Sequence, residues 1–150
     1  MRKISLSALF TGLFLLNCAA VFAAVDQATI LDIAGEAKFM KKGDADWKML
    51  EKGMVLSEGD RLKTAPNSQV ILNFAGSAKT AEVVVRPESE FAFDTFRHED
   101  KTDKTLLDVQ IGSVLVKAEK LIGDSKFEVK TPTSIVGIRG TTFEVQVAKS

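Results

Sequence analysis

The chain has 150 residues, with 20 basic and 20 acidic side chains, ten Phe, one Trp, one His, one Cys and no Tyr. That length suits one ordinary domain, and balanced charge gives no electrostatic footprint for nucleic acid and no strong pull toward anionic lipid. One His and one Cys are too few for a zinc site.

Arg2 and Lys3 form a short positive region before an apolar run from Ile4 to Leu16, and Val21-Phe22-Ala23 offers small residues where a signal peptidase reads. Residues 1–23 are therefore expected to be a signal peptide, cleaved before Ala24, leaving a domain over 24–150. Two alternatives stay open. Ile4 to Phe22 nearly spans a bilayer and would serve as an uncleaved anchor. Cys18, after Leu15-Leu16-Asn17, sits where a lipidated cysteine would sit, although Asn17 is a poor residue at that step. A membrane is a partner only in those two cases. If Cys18 leaves with the signal, the mature chain has no disulfide and carries a net charge of −2, because Arg2 and Lys3 leave too. A domain of this size buries roughly two-thirds of its unfolded surface without such a staple.

After Ala24 the pattern is one of short strands and turns. Ala28–Ile33 and Glu36–Met40 are divided by Ala34-Gly35, and Lys41-Lys42-Gly43-Asp44 is a turn before the extended piece Trp47–Leu50. Met54–Leu56 and Arg61–Thr64 follow, separated by Glu58-Gly59-Asp60. Gln69–Phe74 alternates cleanly, with Val70, Leu72 and Phe74 on one face. Ala81–Arg86 is a strand closed by Pro87, and Phe91-Ala92-Phe93 begins another. Arg97 to Thr105 has no aliphatic or aromatic core former and reads as an exposed hairpin loop. Leu106–Ile111, Ser113–Lys117, Phe127–Lys130 and Thr141–Val147 complete the set; Lys117–Ile122 has room for one helical turn. In the last strand Thr141, Phe143, Val145 and Val147 share a face.

About ten short strands at ten-residue spacing predict an all-β domain, β-solenoid-like or a β-sandwich. A weak echo of Lys63-Thr64-Ala65-Pro66-Asn67-Ser68 in Lys130-Thr131-Pro132-Thr133-Ser134 favours the solenoid.

Catalytic chemistry has little to work with. The lone His98 lies in the charged stretch, and His98-Glu99-Asp100 is too local to chelate a metal. Gly123-Asp124-Ser125 lacks the strand-to-helix turn and the His partner of a serine hydrolase. Glu88 and Glu90 read as a solvated face. Gly137 and Gly140 lack the Lys-Ser/Thr pair and helix of a phosphate loop. No enzyme, cofactor or metal is expected.

The segment Gly53-Met54-Val55-Leu56-Ser57-Glu58-Gly59-Asp60-Arg61-Leu62-Lys63-Thr64, the step Ser68–Phe74, Gly112 within Leu107–Val116, and the closing Thr131-Pro132 and Arg139-Gly140-Thr141-x-Phe143 come in a fixed order. Together, from about Ile33 to Val147, they resemble the FecR-type domain. The resemblance implies an all-β domain outside the inner membrane. In the family's sensory members this domain receives a signal from an outer-membrane iron transporter, and a transmembrane helix links it to a cytosolic part that controls a sigma factor. Here a secretion signal takes the place of that link, so a stand-alone periplasmic protein-binding or scaffold module is the expected role. An anchored sensor tied to iron uptake and an envelope glycan-binding protein are the alternatives. The matched positions Gly59, Asp60, Thr131, Pro132, Arg139, Gly140, Thr141 and Phe143 are expected to be structural, with Trp47, Leu56, Leu62 and Phe74 in the core. For Arg139, a guanidinium satisfying turn carbonyls and a partner contact both remain open.

Overall fold

A computed structural model describes residues 27–75, 81–99, 102–118, 124–138 and 140–148. They form twelve strands: β1 Gln27–Ala34, β2 Ala37–Met40, β3 Lys48–Met49, β4 Val55–Leu56, β5 Arg61–Thr64, β6 Gln69–Ala75, β7 Ala81–Val85, β8 Glu90–Glu99, β9 Thr102–Ala118, β10 Lys126–Lys130, β11 Ile135–Ile138 and β12 Thr142–Val147. The fold is all-β, a single curled sheet whose order is β3-β2-β5-β8-β9-β7-β6-β1-β4, with β10 and β12 also on β9 and β11 on β10.

The 17-residue β9 is the seam. Its first part pairs with β8 and, in parallel, with β10. Its second part, from Gly112 onward, pairs with β7 and β12. The sheet thus divides into two halves that close on one core. Phe74 of β6 meets Phe93 and Phe96 of β8 and Phe127 of β10 at centroid separations of 6.0, 5.6 and 5.6 Å. These tilted and edge-on contacts are the arrangements aromatic quadrupoles favour. Alternation supplies the rest: Val70 and Leu72, Val83 and Val85, Leu107 and Val109, Val114 and Val116 are all fully buried.

The pairing is antiparallel except for β9 with β10 among the described strands, and β9 touches four others. Of the two expected arrangements this is sandwich-like, because coils of a solenoid contact only their neighbours in sequence. Two differences from the sequence reading stand out: Leu106–Ile111 and Ser113–Lys117 run together in β9, and Ile135–Ile138 adds a strand, β11. The stretch Arg97 to Thr105 departs from the loop expected for it. Arg97 pairs with Lys104, His98 with Asp103 and Glu99 with Thr102, so the ladder continues to the hairpin end. Lys117 lies in β9, and residues 119–122 fall outside the described set.

The chain passes between the halves at two matched corners. After β1, Gly35 has φ +83° and lies against Ser68, whose hydroxyl accepts the Glu36 N–H at 2.9 Å and donates to the Pro66 carbonyl at 3.2 Å. Within β9, Gly112 has φ +94° and lies against Ser89, whose hydroxyl accepts the Ser113 N–H at 3.0 Å and faces the Pro87 carbonyl at 3.2 Å. Both serines are buried and both follow a residue with positive φ, Asn67 at 57° and Glu88 at 53°. The repeated unit is thus Pro-x-Ser at 66–68 and 87–89, whereas Thr131-Pro132-Thr133-Ser134 forms an ordinary exposed turn. Thr64 and Ala65 join the two corners: the Thr64 hydroxyl donates to the Arg86 carbonyl at 2.7 Å and accepts the Ser89 N–H at 3.0 Å, and the Ala65 carbonyl accepts the Ser68 N–H at 3.3 Å and the Glu88 N–H at 3.4 Å.

A Cβ at Gly112 would strike the Ser89 backbone as well as its hydroxyl, whereas one at Gly53, φ +82°, meets open space. Gly53→Ala is expected to cost about 1–2 kcal/mol from backbone strain alone. Gly112→Ala should cost about 2–5 kcal/mol because overpacking adds to it. Chemical denaturation of the two variants side by side checks the difference.

Candidate functional site

The family-signature positions divide among three places. Gly59 and Asp60 close the turn between β4 and β5. The Asp60 side chain is nearly inaccessible, and its carboxylate accepts the Ser57 N–H at 2.9 Å, the Lys42 N–H at 3.0 Å and the Lys41 ammonium at 2.6 Å. The Lys41 ammonium also donates to the Val55 carbonyl at 3.2 Å. The Gly59 N–H donates to the Phe93 carbonyl at 2.7 Å, and the Phe93 N–H returns to the Asp60 carbonyl at 3.0 Å. One residue thereby ties the end of β2, the β4–β5 turn and β8 together.

Thr131 and Pro132 form the β10–β11 turn. The Thr131 N–H donates to the Ser134 carbonyl at 2.8 Å, and its hydroxyl accepts the Ser134 N–H at 3.0 Å. Pro132 follows in the position where its fixed φ suits a turn. Gly140 and Thr141 lead into β12, where the Thr141 carbonyl accepts the Ala118 N–H at 3.4 Å and the half-buried Phe143 packs on the core margin. Arg139 lies outside the described residues, so its role stays as the sequence leaves it.

Leu56, Leu62 and Phe74 are buried as expected. Trp47 is not in the core. It lies half-buried on the outer face of β5, with the Lys63 ammonium 4.0 Å and the Arg61 guanidinium carbon 5.7 Å from its ring centroid. An aromatic residue between a turn and a two-residue strand reads as core from sequence. What displaces it is the pair of cations at alternate positions of β5, which supply cation–π contacts on the outer face.

The feature that sequence reasoning passed over is β11. Ile135 and Val136 begin a strand paired with β10 through Lys130↔Ile135, Val129↔Val136, Glu128↔Gly137 and Phe127↔Ile138. Ile135 is 63% exposed and Val136 38%. Beside them lies a groove of about 380 Å³ lined by Ser125, Lys126, Phe127, Glu128, Gly137 and Ile138. The signal available in the sequence was β-branched residues after a Pro turn, with no charge among them.

Among the described residues no group of three His, Cys, Asp or Glu could hold a metal, and no helix is long and apolar enough to cross a membrane.

The model of one family, FecR protein, matches residues 54–150. The chain belongs to the FecR family. The match begins just before β4 and runs through all three signature sites; the resemblance read from individual residues starts earlier, at Ile33. FecR proteins are an envelope-signalling family. No curated relative and no solved structure matches the chain.

Asp60→Ala removes the acceptor for two backbone N–H groups and one ammonium and is expected to cost about 2–4 kcal/mol. Trp47→Ala, which opens no core cavity, should cost much less than Phe93→Ala, for which truncation of a fully buried ring is worth about 3–5 kcal/mol. Urea unfolding of the three variants ranks them.

Proposed function

We propose that this FecR protein is a non-enzymatic, periplasmic interaction module of envelope signalling, secreted by its N-terminal signal and acting through contact with another envelope protein. The observation that carries this reading is the FecR match over residues 54–150. The signature supports it from the chemical side. Gly59, Asp60, Thr131 and Gly140 perform turn and backbone work, and the described titratable groups on the outer faces are chiefly engaged in ion pairs such as Lys117–Glu82 and Lys130–Asp108. Such a domain presents shape and strand edges rather than reactive groups.

Affinity capture of the tagged protein from envelope extract, with crosslinking and mass spectrometry, tests the reading. The expected outcome is a periplasmic chain whose first residue is Ala24, together with one specifically enriched envelope protein. A chain that retains residues 1–23 and sediments with membranes would instead favour the anchored sensor.

One observation favours a second reading, envelope glycan binding: Trp47 lies on an outer face, where an aromatic ring can meet a sugar. Titration with cell-wall fragments would then change the fluorescence of Trp47, the chain's single tryptophan. Unchanged emission at saturating fragment concentration removes it.

A further inference from the structure

We propose that β11 is the docking strand of this module, receiving a short, extended, uncharged segment of the partner as an added strand; the inference rests on the protein-interaction reading above.

The sheet ends in four strands among the described residues, and three of them are blunted. β3 is two residues long and carries Lys48, which pairs with Asp44 at 2.7 Å. β4 is also two residues long, and its Val55 carbonyl accepts from the Lys41 ammonium. β12 is longer, but its outward row is Thr142, Glu144 and Gln146; Glu144 accepts the Ser113 hydroxyl at 2.6 Å and lies 3.5 Å from Arg86. Charged side chains and shortness are among the usual defences against unwanted strand pairing. β11 has none of them. It is Ile-Val-Gly-Ile, with neither charge nor proline, and its described residues pair with β10 alone.

The pleat states what the added strand must carry. Val136 stands opposite Val129 on the core side, and Val129 is fully buried while Val136 is 38% exposed. The core is therefore left open at its margin, and a residue placed beside Val136 on that side meets hydrocarbon. An apolar, preferably β-branched, side chain fits there. On the outer side the adjacent position is Gly137, where the missing side chain opens onto the groove bounded by Lys126 and Glu128. A side chain of the incoming strand has room there, and Ile135, 63% exposed, flanks it. Backbone groups give such an addition its affinity and alternate side chains its specificity.

Size selects an extended segment over a second copy of this chain. Four residues span about 13 Å, and pairing over that length alone falls far short of the ~1,200 Å² that a stable complex of two folded proteins buries. A flexible segment can add further contacts along the groove.

The test places a photo-crosslinking amino acid at Ile135, Met49 or Gln146 of the full chain in intact cells. The expected result is an adduct from Ile135 about tenfold stronger than from the other two positions, mapping to one partner segment with alternating apolar residues. In the purified complex the amides of 135–138 should exchange more slowly than in the free chain. Val136→Lys should lower the Ile135 adduct about tenfold at unchanged melting temperature. Should that variant unfold, Ile135→Lys, at the more exposed site, gives the same reading through capture yield. Adducts from Met49 or Gln146 with Ile135 silent overturn the docking strand and leave the interaction reading standing. Silence at all three positions counts against both. An adduct joining two copies of this chain, or one indifferent to Val136→Lys, also overturns the proposal.

Discussion

The structure depends on bending β9. β10 begins beside Lys104, near the start of β9, although β9 ends at Ala118. A straight strand from Lys104 to Ala118 would be about 46 Å long, while the eight steps from Ala118 to Lys126 reach at most about 29 Å. The parallel pairing is therefore possible only if β9 bends. A strand that turns so sharply must break its ladder, and each broken rung would leave a backbone donor dry in the core. The corner at Gly112 meets both demands: a positive φ that a residue with a Cβ resists, and the buried Ser89 hydroxyl to take the freed Ser113 N–H. Gly35 over Ser68 repeats the solution on the other side. Thr64 and Ala65 together bond to both turns, so the two corners form one unit and the halves of the sheet close together.

With the corners set, the signature becomes intelligible as chain geometry. Asp60 gathers three donors from two segments, Lys41-Lys42 and Ser57, in a place where an unpaired N–H would be costly. Thr131 and Pro132 shape the one turn that presents β11. Gly140 and Thr141 return the chain to β9 so that Phe143 and Val145 can cap the margin of the core. None of these residues offers a free reactive group. Their spacing is a specification for the fold, and membership in the family therefore says more about architecture than about which surface a given member uses.

Much of this was legible in the sequence, and for a definite reason. Alternation at Val70-Ile71-Leu72-Asn73-Phe74 and at Phe143–Val147 reports a half-buried strand directly, because one face meets hydrocarbon and the other water. Where burial does not enforce alternation the sequence falls silent. Arg97 to Glu99 and Thr102 to Thr105 pair by backbone, and a run of charged letters carries no strand signal. Trp47 misleads in the opposite sense: a large aromatic suggests the interior, and only the register of Arg61 and Lys63 on the outward row of β5 shows where it is held. The echo between Thr64–Ser68 and Thr131–Ser134 shares letters without sharing a role. The matched corner, Pro87-Glu88-Ser89, differs in its middle residue, and the likeness lies in a positive φ that no letter announces.

A closed sandwich of this kind has a general difficulty with its edges, since every end strand offers unpaired backbone to whatever passes. The chain answers in three different ways at β3, β4 and β12, by shortness, by a lysine laid across a carbonyl, and by a polar outward row. At β11 none of the three is present. Nor does the fold require that edge to be apolar: Ile135 points away from the core, and a lysine or threonine there would satisfy β10 equally well. An exposed isoleucine between a hydrogen-bonded turn and Gly137 is thus a feature for which stability supplies no reason. Contact with something outside the chain does supply one, and the half-covered Val136 beside it fixes that contact as hydrocarbon in character.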